Sequence, residues 1–219
     1  MKLLLTAFEP FGGEKINAAL EAVNHVSVPS EIELNTLTIP TVFGAGTEMI
    51  MSFARLFHPD VIIMVGQASG RQAISLERIA INLRDASIPD NVGNQPVDQP
   101  VVPSGPAAYF STLPLKTMRA AVLSAGIPCD LSCSAGTFVC NDLMYSVLHL
   151  LAAASSPVLA GFIHVPCTPE QASLSNRKLP SMQTSDAVKG LEAAILSLQQ
   201  VCQGKIKNVC QGKIKNYGD

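Results

Sequence analysis

Tryptophan is absent, aromatic residues make up only 5% of the 219 positions, and charged side chains only 15%. A chain this poor in charge and 47% hydrophobic can bury a continuous core, which excludes a disordered polymer and points to buried subunit contacts. With a formal net charge of -2 and its Lys and Arg scattered, the chain lacks the electrostatic footprint of a nucleic-acid or anionic-membrane binder outside the extreme C-terminus. No apolar run approaches the length of a bilayer span, and the stretch from Met1 to Thr6 meets Glu9 and Pro10 too soon to serve as a signal peptide. The expected address is the cytoplasm, where the cysteines at 129, 133, 140, 167, 202 and 210 are free thiols. The four histidines are dispersed and no Cys-x-x-Cys or His-Glu-x-x-His run occurs, so neither a metal nor a cofactor is expected.

What is present alternates between two periods. Short apolar runs at Lys2 to Thr6, Val61 to Val65 and Leu159 to Val165 end at Gly or Pro and suit buried strands. Between them lie helical patterns from Asn17, an N-cap candidate, to Val26, and from Gly44 to Phe57. Others run from Leu115 to Ala125, from Asn141 to Ala154 and from Ser185 to Gln200. Strand followed by helix, repeated, implies a parallel α/β sheet in one domain over residues 1–200. A further strand is expected from Ile74 to Leu83 and another from Asp130 to Ser134. The Pro, Asn, Asp and Gly density from Asp85 to Pro106 marks a long loop placed near the site. The octad Val201 to Asn208 recurs unchanged as Val209 to Asn216, and Gly204 and Gly212 would interrupt any helix. This tail, residues 201–219, is a mobile basic extension or an extra strand at a subunit edge.

Three side chains carry chemistry. Cys140 follows the short Ala135-Gly136-Thr137 turn where a helix begins, and helix N-termini favour the thiolate; the alternative is an ordinary buried cysteine. His164 sits in a strand-like run just before Pro166, as a base at the carboxyl edge of the sheet or as a hydrogen-bonded core residue. Glu77 is a carboxylate within an apolar strand pattern. Its neighbour Arg78 points to the opposite face of a strand, which leaves Glu77 free to orient an imidazole. Phe8 and Phe11, with Gly12 and Gly13, wall a small apolar pocket or simply pack their loop on the sheet.

Seven blocks together resemble the pyroglutamyl peptidase I family of cysteine peptidases: Phe8 to Gly13, Val65 to Ala68, Glu77 to Asn82, Ile88 to Asn91, Gly105 to Phe110, Ser134 to Asn141 and Gly161 to Pro166. The resemblance covers Met1 to about Gln200. It implies a three-layer α/β/α sandwich on a mainly parallel, mixed central sheet, a homotetramer, and removal of N-terminal pyroglutamate from peptides through a thioester. It also implies a Cys140, His164, Glu77 triad. The lactam would lie among Phe8, Phe11, Thr41, Ile88, Phe138 and Val139, with Asn17 and the main chain of Gln67 as polar contacts.

Two departures stand out. Ser87 occupies a position where the family has an arginine by the active site, and Ala18 one where it often has proline. Arg84 lies three positions before Ser87, on the opposite face if the segment is a strand, which argues against its standing in. Ser87 and the duplicated tail keep open a catalytically impaired pyroglutamyl-binding or scaffold protein, and a thiol amidohydrolase of another small lactam or amide is a further alternative.

Overall fold

A computed structural model describes residues 1–175 and 178–202. The duplicated octads from residue 203 onward, with Cys210, lie outside the described residues. In chain order the elements are β1 (Lys2–Phe8), α1 (Ala18–His25), β2 (Glu33–Ile39), α2 (Ala45–Phe57), β3 (Val61–Gln67), β4 (Ile74–Glu77) and β5 (Ile79–Ile81). They continue with β6 (Ala108–Phe110), α3 (Leu115–Ser124), β7 (Cys129–Ser132), α4 (Val139–Ala153), β8 (Leu159–Val165), α5 (Pro169–Leu174) and α6 (Thr184–Cys202).

Six strands form one sheet in the order β2-β1-β3-β8-β4-β7. All neighbours run parallel except β4 against β8. Because side chains alternate across a strand, β1 sends Leu3, Leu5 and Ala7 to one face and Leu4 and Phe8 to the other. The first face is covered by α1, α3 and α6 through residues such as Ala22, Val122 and Ile195. The second is covered by α2 and α4 through Ile50, Leu143 and Val147. Burial on both faces explains why these strands read as unbroken apolar runs, and the result is the expected three-layer α/β/α arrangement. No helix among the described residues is long and apolar enough to cross a membrane.

Several boundaries differ from the sequence-based expectation. The single strand expected from Ile74 to Leu83 breaks at Arg78, whose N–H donates to the Ser132 carbonyl (2.8 Å) while its own carbonyl accepts from Ser111 N–H (2.9 Å). The chain thereby leaves the main sheet, and β5 pairs antiparallel with β6 in a two-stranded ribbon. Helix α4 begins at Val139 rather than Asn141, so Cys140 lies inside its first turn. The segment 85–106 is a long irregular loop, pinned by a bridge between Arg84 and Gln99. Asn17 caps α1, its side chain accepting from the Ala19 N–H at 2.9 Å.

Candidate active site

The antiparallel pairing of β4 with β8 sets the geometry. Ser75 lies opposite His164 and Glu77 opposite Phe162, so all four side chains share the sheet face covered by α4. Glu77 and His164 are then diagonal neighbours, close enough for long side chains to meet. His164 Nδ1 lies 2.8 Å from Glu77 Oε1, and both side chains are buried. On the other side of β8, Gly66 of β3 is the register partner of His164. A β-carbon built on Gly66 would lie 3.1 Å from Cys140 Sγ, so the sulfur sits directly over this glycine, beside the imidazole.

The first turn of α4 is held by two buried polar residues. The Asn141 carboxamide accepts from Ile81 N–H (2.9 Å) and donates to the Ile81 and Leu83 carbonyls, tying the helix start to β5. Asp142 accepts from Gly44 N–H (2.9 Å) and pairs with Arg84 at 2.6 Å. Arg84 is thus committed to Asp142 and lies over the Phe43 ring. Ser87 itself is exposed.

A cavity of about 170 Å³ opens beside the sulfur, lined by Phe8, Phe11, Asn17, Thr41, Gln67, Ala135, Phe138, Val139, Cys140 and His164. Phe11 packs on Phe138 with centroids 6.2 Å apart, and Phe43 meets Phe138 edge-on at 5.4 Å. Of the side chains assigned to a lactam pocket, Ile88 alone does not line it; it is 43% exposed. In that stretch the buried place belongs to Asp90, which gathers the N–H groups of Phe43, Val92 and Asn94 and leaves Ile88 pointing outward. The following Asn91 donates to Glu9 Oε1 (2.9 Å) and the Pro10 carbonyl (3.0 Å). Thr41 Oγ1 donates to the Glu9 carbonyl at 3.0 Å. The Ile88 to Asn91 block therefore fastens the long loop to the loop that carries Phe11.

Electrostatics oppose a preformed ion pair. Burial, and then the charge of Glu77, push the Cys140 thiol up to about 12, with Arg71 opposing. Burial lowers His164 below its ordinary value of 6.5, against the raising effect of its hydrogen bond to Glu77. Both shifts disfavour the charged forms, while the helix N-terminus acts on the thiol in the opposite direction. Among the described residues no cluster of His, Cys, Asp and Glu is arranged to hold a metal.

Sequence reasoning passed over two groups. Arg71, in the turn after β3, donates to Glu77 Oε1 (2.6 Å) and to the Ser134 carbonyl (2.9 Å). It is this residue, not the adjacent Arg78, that forms an ion pair with the buried carboxylate. Gly66 carried a readable signal, since glycine within a strand marks close approach. Gly66→Ala would place its new carbon 2.8 Å from Phe162 Cζ as well as against Cys140 Sγ, and Phe162 is fully buried. The expected result is a stability loss of about 1–3 kcal/mol and a displaced sulfur, read by thermal denaturation and single-turnover kinetics.

A three-layer α/β fold on which a thiol, an imidazole and a buried carboxylate converge beside an apolar cavity is the arrangement of a thiol hydrolase. A family model described as pyroglutamyl peptidase matches residues 1–201, and the chain belongs to that family. It is similar to the pyrrolidone-carboxylate peptidase of Levilactobacillus brevis, 51% identical over 201 residues, covering 90% of this chain and 97% of that protein. The enzyme of that name from Vibrio vulnificus is 50% identical over 198 residues, covering 90% and 92%. Among solved structures, pyroglutamyl peptidase I from Bacillus amyloliquefaciens superposes with a TM-score of 0.86 at 40% identity, covering 90% of this chain and 93% of that one. A mutant pyrrolidone carboxyl peptidase from Pyrococcus furiosus superposes with a TM-score of 0.87 at 40% identity, covering 92% and 99%. The chain is accordingly a peptidase, and the scaffold alternative is not favoured.

Proposed function

We propose that the chain removes N-terminal pyroglutamate from peptides, with Cys140 as nucleophile, His164 as general base and then acid, and Glu77 holding the imidazole. The observation that carries this reading is the placement of Cys140 Sγ over Gly66, the sheet neighbour of His164, at the wall of an apolar cavity. An N-terminal pyroglutamate presents an uncharged five-membered lactam with one N–H and one C=O. Among the described residues the cavity lining includes no carboxylate, so a charged free N-terminus would be desolvated there without a counter-ion, at a cost of several kcal/mol. Phe8, Phe11, Phe138 and Val139 would face the ring, with Thr41, Asn17 and the Gln67 main chain at its polar edge.

In the reaction, His164 takes the thiol proton as the sulfur attacks the pyroglutamyl carbonyl. The tetrahedral intermediate collapses to a thioester while that proton passes to the leaving amine. Water, deprotonated by the same imidazole, then attacks the thioester and releases pyroglutamate and the thiol. The first-turn amides of α4 have no intrahelical acceptor and lie beside the sulfur, which suits them to the oxyanion; one well-placed donor contributes on the order of 3 kcal/mol. Release of chromophore from a pyroglutamyl arylamide, run beside the proline and glutamine arylamides, tests the reading. Turnover of the first alone is expected; none, or faster turnover of another, would overturn it.

The same reading gives a cytoplasmic enzyme with one catalytic domain over residues 1–200. A homotetramer accords with the low charge and with the exposed apolar side chains Leu56 and Met49 on α2 and Leu150 on α4. Light scattering at the mass of four chains is the corresponding measurement.

A further inference from the structure

We propose that Arg71 is a positioning residue of the catalytic centre: through Glu77 it fixes the imidazole of His164, and through the Ser134 carbonyl it fixes the start of the segment that carries Cys140. The inference rests on the triad reading above and adds to it a fourth side chain that holds the nucleophile and the base in one frame.

The local sequence makes the placement possible. Ala68, Ser69, Gly70 and Arg71 form a turn after β3, closed by a hydrogen bond from Arg71 N–H to the Ala68 carbonyl at 3.3 Å. Gly70 takes φ +94 in this turn, a conformation that a side chain would strain. The turn places Arg71 three positions before β4, and its side chain reaches Glu77, the last residue of that strand. There Nη1 donates to Glu77 Oε1 at 2.6 Å and Nη2 to the Ser134 carbonyl at 2.9 Å. A planar guanidinium serves both acceptors from one rigid fork, whereas an ammonium is a single point of charge.

Charge balance gives the contact its weight. Glu77 is fully buried, and among the described residues its partners are Arg71 and His164. Arg71 is the permanent cation beside the carboxylate, whereas His164 is charged only when protonated. Both donors converge on Oε1, while Oε2 has no hydrogen-bond partner among the described residues. The carboxylate is thus held by one oxygen between a permanent cation and the imidazole that becomes cationic during the reaction. Arg71 is partly exposed, at 28% of its side chain, so water relieves its charge on the outer side without reaching Glu77.

The two charges around His164 act on it in opposite directions, Glu77 raising its proton affinity and Arg71 lowering it. Without the guanidinium, the buried Glu77–His164 pair regains neutrality by holding a proton on the imidazole to higher pH. Arg71→Gln is therefore expected to shift the acid limb of kcat/KM upward by about one pH unit and to lower kcat about 10- to 100-fold, with KM changed less than about threefold. Arg71→Lys keeps the charge and loses the second prong. Its acid limb should stay near wild type while kcat falls about tenfold.

The experiment is the pH profile of pyroglutamyl arylamide hydrolysis for wild type, R71Q, R71K and Cys140→Ser. An R71Q acid limb at the wild-type position, or an R71K kcat equal to wild type, overturns the inference, and the R71K measurement decides it if R71Q does not fold. Activity retained by Cys140→Ser would instead overturn the triad reading itself, so the two failures are distinguishable.

Discussion

Cys140→Ser is expected to leave pyroglutamyl arylamide hydrolysis at least about 10⁴-fold below wild type in a protein that still folds. The substitution exchanges sulfur for a smaller oxygen over Gly66, so no new clash arises there. What is lost is the polarisable nucleophile. A serine hydroxyl holds its proton far more tightly than a thiol, and the imidazole beside it is a base already weakened by burial. Steady-state kinetics beside a thermal melt separate chemistry from folding. Cys129→Ser is the matched control: Cys129 is buried in β7, outside the cavity, and its replacement should leave kcat/KM within about threefold. More than about 1% residual activity in Cys140→Ser would move the nucleophile elsewhere.

Glu77→Gln should cost on the order of 10³- to 10⁴-fold in kcat, because an isosteric amide neither holds the Nδ1–H tautomer nor compensates the imidazolium that forms during attack. The sign of its pH effect is opposite to that of Arg71→Gln. Glu77 raises the proton affinity of His164, so its neutralisation moves the acid limb of kcat/KM to lower pH. An unmoved or raised limb would remove Glu77 from the imidazole. Stability carries the same signature. His164 in the fold binds its proton below 6.5, so as pH falls through that value the unfolded chain protonates first and stability declines until the folded imidazole titrates too. In Glu77→Gln that decline extends further into acid. The stability loss at neutral pH is smaller than for breaking a wholly buried pair, because the partly exposed Arg71 recovers water.

Much of this is legible in the sequence, and for identifiable reasons. Strands β1, β3 and β8 announce themselves because burial on both faces demands unbroken apolar runs. Strand β2 leaves no such run because it is an edge strand, with exposed Glu33 and polar Asn35, Thr36 and Thr38 breaking it. Strand β5 was merged with β4 because the apolar alternation passes through Arg78 without a turn residue. Helix α5, absent from the periodic patterns, carries a signal of another kind: Thr168 and Gln171 form a capping box with Pro169 at the first position. Cys140, His164 and Glu77 stood out as reactive or ionisable types inside apolar patterns. Arg71 did not, since a turn of Ala, Ser and Gly gives no hint of the carboxylate it will meet. Ile88 misled because motif membership says nothing about which way a side chain turns.

The reversal of β4 has a consequence for how the enzyme is lost. Carboxylate and imidazole stand two rungs apart on one ladder, where a shift of a single rung would carry Glu77 through to the opposite side. Parting β4 from β8 by heat or denaturant carries β7 away as well, because β7 pairs with β4 alone in the sheet order. Loss of activity on heating is therefore expected to coincide with loss of the β4–β8 pairing, read by activity and circular dichroism in one melt.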